Sequence, residues 1–253
     1  MSDATQRFSD RVDDYVRHRP TYPSEVVTLL ERELGIAPAT TRVVDLGSGT
    51  GISAGLFLRA GYGVTGVEPN APMRAAAERM LASYTRWRSV DGTAERTNLP
   101  GASCDLVIAA QAFHWFDVAK ARAEAQRVLA PGGRAALLWN DRLLDRDPFH
   151  AGYEAALLRF GTDYAKVRHA NVAEETIRAF FGGAPRTASL ENHQDLDRDG
   201  LLGRARSSSY VPKPGAPGHD ALFAELERLF AAHARGGLVR IVYETKLWFG
   251  PLD

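Results

Sequence analysis

Val43-Val44-Asp45-Leu46-Gly47-Ser48-Gly49-Thr50-Gly51 is a short apolar run that stops on three alternating glycines, and residues 52–60 follow with helical composition. A strand, a glycine turn and a helix in that order bring backbone amides to a helix N-terminus, where glycine lets a ligand approach closely. The dinucleotide fingerprint requires G-x-G-x-x-G. Counted from Gly47, its last glycine would fall on Ile52, so the spacing here is G-x-G-x-G. Residues 63–67 read as the next strand, and Glu68 ends it about twenty residues beyond the loop, where an acidic side chain accepts hydrogen bonds from both ribose hydroxyls. A nucleoside ligand is implied.

The same rhythm continues on both sides of this unit. Residues 41–46 form the first strand, 71–83 a helix rich in Ala, Met, Glu and Arg, 85–90 a third strand and 105–110 a fully apolar fourth. Residues 118–129 are helical, Pro131-Gly132-Gly133 breaks the helix, and 134–139 give a fifth strand. Sequential units of this kind require right-handed crossovers and helices on both faces of a parallel sheet. After Asn140 the rhythm is lost. Helices over 149–160 and 173–181 are expected to cover the sheet as a cap, followed by a sixth strand over 187–193 and a short helix over 200–209. Val211-Pro-Lys-Pro-Gly-Ala-Pro-Gly218 permits no regular structure; a helix over 219–233 and a long strand over 239–249 close the chain.

Composition narrows the class. The 253 residues are 45% hydrophobic and 25% charged, which excludes a disordered or collagen-like chain. Thirty-one basic and 31 acidic residues cancel, leaving no bulk field to attract nucleic acid or an anionic membrane. Cys104 is the single cysteine, so an internal disulfide and a thiolate zinc cluster are excluded, and a reducing compartment fits. Residues 1–10 are polar where a secretory leader needs an apolar run, and no unbroken apolar stretch reaches membrane-spanning length. The expected location is the cytoplasm.

Five motifs in order resemble those of class I S-adenosylmethionine-dependent methyltransferases: D-L-G-S-G-T-G, V-T-G-V-E-P-N, D-G-T-A-E over 91–95, D-L-V-I-A-A-Q-A-F-H-W-F over 105–116, and L-A-P-G-G over 129–133. The match spans roughly residues 40–140. The opening Phe8…Tyr15-x-x-x-Arg19-Pro20-x-Tyr22-Pro23 is similar to the small-molecule branch that includes trans-aconitate-type enzymes. The resemblance implies a Rossmann-like α/β sheet of seven strands, six parallel and the last antiparallel, with helices on both faces and a small helical cap. It implies a single domain over 1–253, with an N-terminal cap segment over 1–35, a cofactor core over 40–140, a substrate cap over 141–186 and C-terminal strands and helices over 187–253.

S-adenosylmethionine is the implied cofactor, with S-adenosylhomocysteine as its product. By position, Gly47, Gly49 and Gly51 would line its methionine part, Glu68 its ribose, and Asn70 and Met73 its adenine, whose edge Asp91, Thr93 and Ala94 would read. Gln111 would border the sulfonium. Asp45 either orders the loop or reaches the amino group through water. Met73 is either a core side chain or an adenine contact, and Asp91 either reads the adenine or caps the turn at Gly92. Arg19 would pair with the methionine carboxylate or stand at the surface; Tyr15, one helical turn before it, would close the pocket or pack in the lid.

On the acceptor side, His114 in Phe113-His114-Trp115-Phe116 follows the fourth strand at the sheet edge where ligands bind, and is the candidate acceptor contact or base. A histidine hydrogen-bonded within the aromatic layer is the other reading. The D/N-P-P-Y-like turn of exocyclic-nitrogen enzymes is absent, and strand four ends in Gln111 with only Asn140-Asp141 after strand five, so no metal is expected. His150, His169, His193, His219 and His233 lack ligand spacing. Ser207-Ser208-Ser209-Tyr210 either presents hydroxyls to a substrate or caps a loop. The expected reaction is methyl transfer to a small molecule on oxygen, with nitrogen as the alternative atom, by a monomer or homodimer. An NAD-dependent oxidoreductase and a non-catalytic nucleoside-binding module are the rival classes.

Overall fold

A computed structural model describes residues 11–164 and 173–252; Phe8 and His169, singled out above, lie outside them. β1 (Arg42–Leu46), β2 (Gly63–Val67), β3 (Trp87–Val90) and β4 (Cys104–Ala110) are the short apolar runs read from the sequence. They are joined by α3 (Ile52–Arg59) and α4 (Ala71–Met80), and α5 (Val118–Val128) leads to β5 (Leu129–Arg142). With β6 (Arg186–Leu196) and β7 (Val239–Pro251) they form one seven-stranded sheet in the order β3-β2-β1-β4-β5-β7-β6. β1 to β5 pair in parallel, whereas β7 is antiparallel to both β5 and β6. β6 therefore shares the direction of the first five strands, and β7 alone runs against the other six.

Alternation fixes the two faces. Leu106 and Ile108 of β4 pack on one side with Val26 and Leu30 of α2 (Glu25–Leu34) and Phe57 of α3. Val107 and Ala109 point to the other side, against Ala121 and Ala125 of α5. Side chains at successive strand positions face opposite ways, so one apolar run fills both layers.

Three expectations change. β5 begins at Leu129 rather than after the glycines: Cys104 pairs with Leu129 and Leu106 with Arg134, so Pro131-Gly132-Gly133 is a bulge within the strand and not its boundary. β6 runs to Leu196 because it pairs residue by residue with the long β7. The helix expected as the second half of the cap, α7 (Glu174–Phe181), packs Ile177, Phe180 and Phe181 into the α5 layer instead. The cap is built from α6 (Pro148–Phe160), α8 (Arg198–Arg206) and α9 (His219–His233), which share an apolar cluster with Ile241 and Tyr243 of β7. β7 ends at the amino edge of the sheet, where Pro251 pairs with Arg134, whereas α1 (Val12–His18) rests on α8 and brings the start of the described chain to the carboxyl edge.

Candidate active site

A cavity of about 620 Å³ opens at that edge. One end is the glycine loop. Gly47, Gly49 and Gly51 all adopt positive φ, and the Gly47 and Ser48 amides donate to the Val67 carbonyl, which ties the loop to β2. A Cβ on Gly47 would stand 2.7 Å from the Ala112 side chain, so only glycine lets the loop pass the segment after β4.

Glu68 lies at the end of β2, 9% exposed, and accepts the Gly49 N–H at 2.9 Å and the Asn70 N–H at 2.8 Å. Burial raises its carboxyl above the ordinary range, and these two amides pull it partly back. Each carboxylate oxygen keeps a lone-pair direction for a ligand hydroxyl. Asn70 caps α4 by accepting the Met73 N–H, which turns Met73 toward the Gly49 backbone.

Gln111 occupies a left-handed conformation, φ +57°, rare for a residue with a side chain and common where a site is preorganised. It donates from Nε2 to the Asn140 carbonyl, while its Oε1 is buried without a partner among the described residues. Arg19 donates Nη2 to the Ser207 carbonyl and lies over the Tyr15 ring at 4.7 Å, while its Nε is buried with no partner among the described residues. An orphaned guanidinium N–H suits a ligand carboxylate, and an orphaned amide oxygen suits a cationic group. Beside the glycine loop and Glu68, the chemistry fits an amino-acid-bearing nucleoside.

Eleven sequence-assigned residues line the one cavity: Tyr15, Arg19, Gly47, Gly49, Glu68, Asn70, Met73, Thr93, Ala94, Gln111 and His114. Asp45, Gly51 and Asp91 do not. Asp45 is fully buried beneath the loop and accepts the Ser53 hydroxyl at 2.6 Å; burial pushes its carboxyl up to about 7. It braces the loop. Gly51 faces Leu81, whose side chain a Cβ would meet at 2.6 Å, so its constraint is packing. The Asp91 carboxylate is exposed and pairs with Arg74 at 3.3 Å. His114 sits in a single turn of 3₁₀ helix with its ring against Trp115 at 4.5 Å.

The far end of the cavity was not read from the sequence. Arg142, Tyr164, Arg204, Tyr210 and Tyr243 line it, drawn from β5, α8, β7 and the segments after α6 and α8. No motif joins them, and nothing local tells a pocket-lining arginine or tyrosine from one at the surface or in the core; the one available signal was the serine run ending in Tyr210. Among the described residues no group of three or more His, Cys, Asp or Glu could hold a metal. No helix there is long and apolar enough to cross a membrane.

Residues 44–137 match the family model of a methyltransferase domain. A methyltransferase of unassigned function from Mycobacterium tuberculosis is 39% identical over 140 residues, 55% of this chain and 54% of its own. The chain thus spans about half the length of the curated relatives it matches. A provisionally assigned type II methyltransferase from Anaeromyxobacter dehalogenans shares the fold at TM-score 0.64 and 24% identity, over 92% of this chain and 98% of that one. Geranyl diphosphate C-methyltransferase from Streptomyces coelicolor, solved with Mg²⁺, geranyl diphosphate and S-adenosylhomocysteine, aligns at TM-score 0.50 and 17% identity over 91% and 79%. The sheet is the Rossmann-like methyltransferase sheet.

Proposed function

We propose that the chain is an S-adenosylmethionine-dependent methyltransferase acting on an oxygen, carboxylate or hydroxyl, of a small-molecule acceptor. The carrying observation is that a single cavity joins the glycine loop and Glu68 to an aromatic and cationic wall, giving cofactor and acceptor a common chamber. Its volume lies within the roughly 300–1,000 Å³ of small-ligand sites. The resemblance of the opening segment to the trans-aconitate-type branch and the balanced net charge both support a small acceptor over a polyanion. The S-adenosylhomocysteine bound by the structural neighbour supports the cofactor.

In this reading Glu68 binds the ribose, Gly47 and Gly49 line the methionine part, Arg19 pairs with its carboxylate, and Met73, Asn70, Thr93 and Ala94 surround the adenine. Asp45 and Gly51 act through the loop. When bound, the cofactor supplies an electrophilic methyl group: the acceptor oxygen bonds to the methyl carbon, the carbon–sulfur bond breaks, and its electron pair stays on sulfur. The protein's part is to align the two and exclude water. His114 takes the proton of a hydroxyl acceptor, whereas a carboxylate has none to lose. The Trp115 and Phe116 rings offer faces that attract the sulfonium charge.

Incubation with methyl-labelled S-adenosylmethionine and a panel of small carboxylic acids, phenols and amines tests this. Label is expected in oxygen-methylated products. Transfer only to amines, RNA or protein, or preferential binding of NAD, would overturn it.

A further inference from the structure

The far end of the cavity holds more buried positive charge than the described residues neutralise there. Arg142 is paired: Nη2 reaches Glu154 and the Tyr164 hydroxyl, and the guanidinium lies over Tyr153 at 4.7 Å. Its Nη1 is buried with no partner among the described residues. Arg204, 7% exposed, has no carboxylate partner among them at all. Nε donates to the Tyr243 hydroxyl at 3.3 Å and Nη1 to the Ser208 hydroxyl at 3.0 Å, both neutral. Arg19, the third guanidinium, faces Arg204 closely enough for their charges to oppose each other. A cation withdrawn from water without a carboxylate is costly. The surrounding Tyr243, Tyr153 and Tyr210 hold the Arg204 guanidinium protonated against that burial, so it stays charged with no carboxylate beside it among the described residues.

Tyr210 reports the same convergence. Burial alone would raise its hydroxyl, yet Arg204, Arg19 and Arg142 together hold it below the ordinary value. The Tyr210 ring packs on Tyr164 at 4.7 Å, so these groups share one enclosed corner. With Glu154 assigned to Arg142 and the cofactor carboxylate to Arg19, Arg204 is left as the cation awaiting a partner.

We infer that Arg204, with Arg142, Tyr210 and Tyr243 around it, is an anchor for an oxyanion carried by the methyl acceptor. The inference rests on the methyltransferase reading and narrows it to acidic acceptors. The anchored group is distinct from the atom methylated, because guanidinium hydrogen bonds draw electron density from an oxyanion and make it a poor nucleophile. The charge could be a carboxylate or a phosphate monoester, since both present the same oxygens to a guanidinium.

The full chain, with and without saturating S-adenosylhomocysteine, is titrated by calorimetry against a panel of small aromatic and aliphatic carboxylic acids, their primary amides and the matching phosphate monoesters. At least one acid or phosphate is expected to bind ten times or more tightly than its neutral counterpart, and which arm does so identifies the oxyanion. Arg204→Gln should weaken that ligand at least tenfold and leave S-adenosylhomocysteine affinity unchanged, with Arg204→Lys recovering part of the loss. Amides binding as well as acids, no anion binding, or equal anion affinity in a folded R204Q would each overturn the inference. The comparison on the unaltered chain stands even if R204Q does not fold. Failure of the cofactor reading shows separately, as absent S-adenosylhomocysteine binding in the same cell.

Discussion

The Gly49 amide donates to Glu68 Oε2 at 2.9 Å, so the carboxylate proposed to receive a ribose also clasps the glycine loop. Recognition and loop shape are thereby linked through one side chain. Glu68→Ala removes both and is expected to weaken S-adenosylhomocysteine by at least tenfold, about 1.4 kcal/mol, in titration calorimetry. It also strips two backbone amides of their acceptor, so Tm of the ligand-free chain should fall. Unchanged affinity in a folded E68A would remove Glu68 from the site.

Gly47 and Gly35 have nearly the same φ, +66° and +68°, in opposite surroundings. A Cβ at Gly47 meets Ala112 at 2.7 Å, whereas one at Gly35 has nothing within 4 Å. Both alanine variants carry the left-handed penalty of roughly 1–2 kcal/mol. Gly47→Ala should in addition lose at least tenfold in S-adenosylhomocysteine affinity, while Gly35→Ala should lower Tm alone. Equal affinities in the two variants would show that loop packing does not govern binding.

That contrast also marks what the sequence could convey. The half of the cavity proposed for the cofactor lies in contiguous stretches after β1, β2 and β4, where glycines and strand ends advertise themselves. The cap half is assembled from Arg142, Tyr164, Arg204, Tyr210 and Tyr243, and nothing local distinguishes a buried arginine on α8 from a solvated one. Likewise the apolar stripe of Ile177, Phe180 and Phe181 announces a buried helix face without naming the surface it meets, so α7 was expected in the cap although it packs beside α5. The Pro131-Gly132-Gly133 bulge reads locally as an end because only the pairing of β4 with β5 carries the strand across it.

Asp45 gives a pH test. Burial, opposed by the Ser53 hydroxyl, raises its carboxyl from 3.8 to about 7. Since the folded state holds the proton more tightly than the unfolded chain, the associated stability is complete below about pH 4 and is lost as pH rises through about 7. Three units at 1.36 kcal/mol each put the span on the order of 4 kcal/mol. Asp45→Asn cannot titrate, so unfolding free energies from urea curves should fall more steeply between pH 4 and 7 for the native chain than for the variant. Parallel profiles would show that the carboxyl titrates normally.

His114 separates the two oxygen acceptors. It lines the cavity beside Gln111 and Trp115, within the turn that follows β4. A hydroxyl acceptor must shed a proton as its oxygen takes the methyl group, and a positioned base contributes about 10²–10⁴-fold to such a step. For that acceptor His114→Ala should lower kcat by this factor, leave S-adenosylhomocysteine affinity nearly unchanged, and flatten the acid limb of the rate profile. For a carboxylate acceptor, already ionised at neutral pH, the same variant should cost less than about tenfold. An acid anchored at Arg204 and methylated on a hydroxyl would show the large loss together with dependence on Arg204. One methylated on a second carboxylate would keep the Arg204 dependence and lose the His114 effect. A large loss in kcat accompanied by an equal loss of cofactor affinity would instead mean that His114 serves the aromatic wall and not proton transfer.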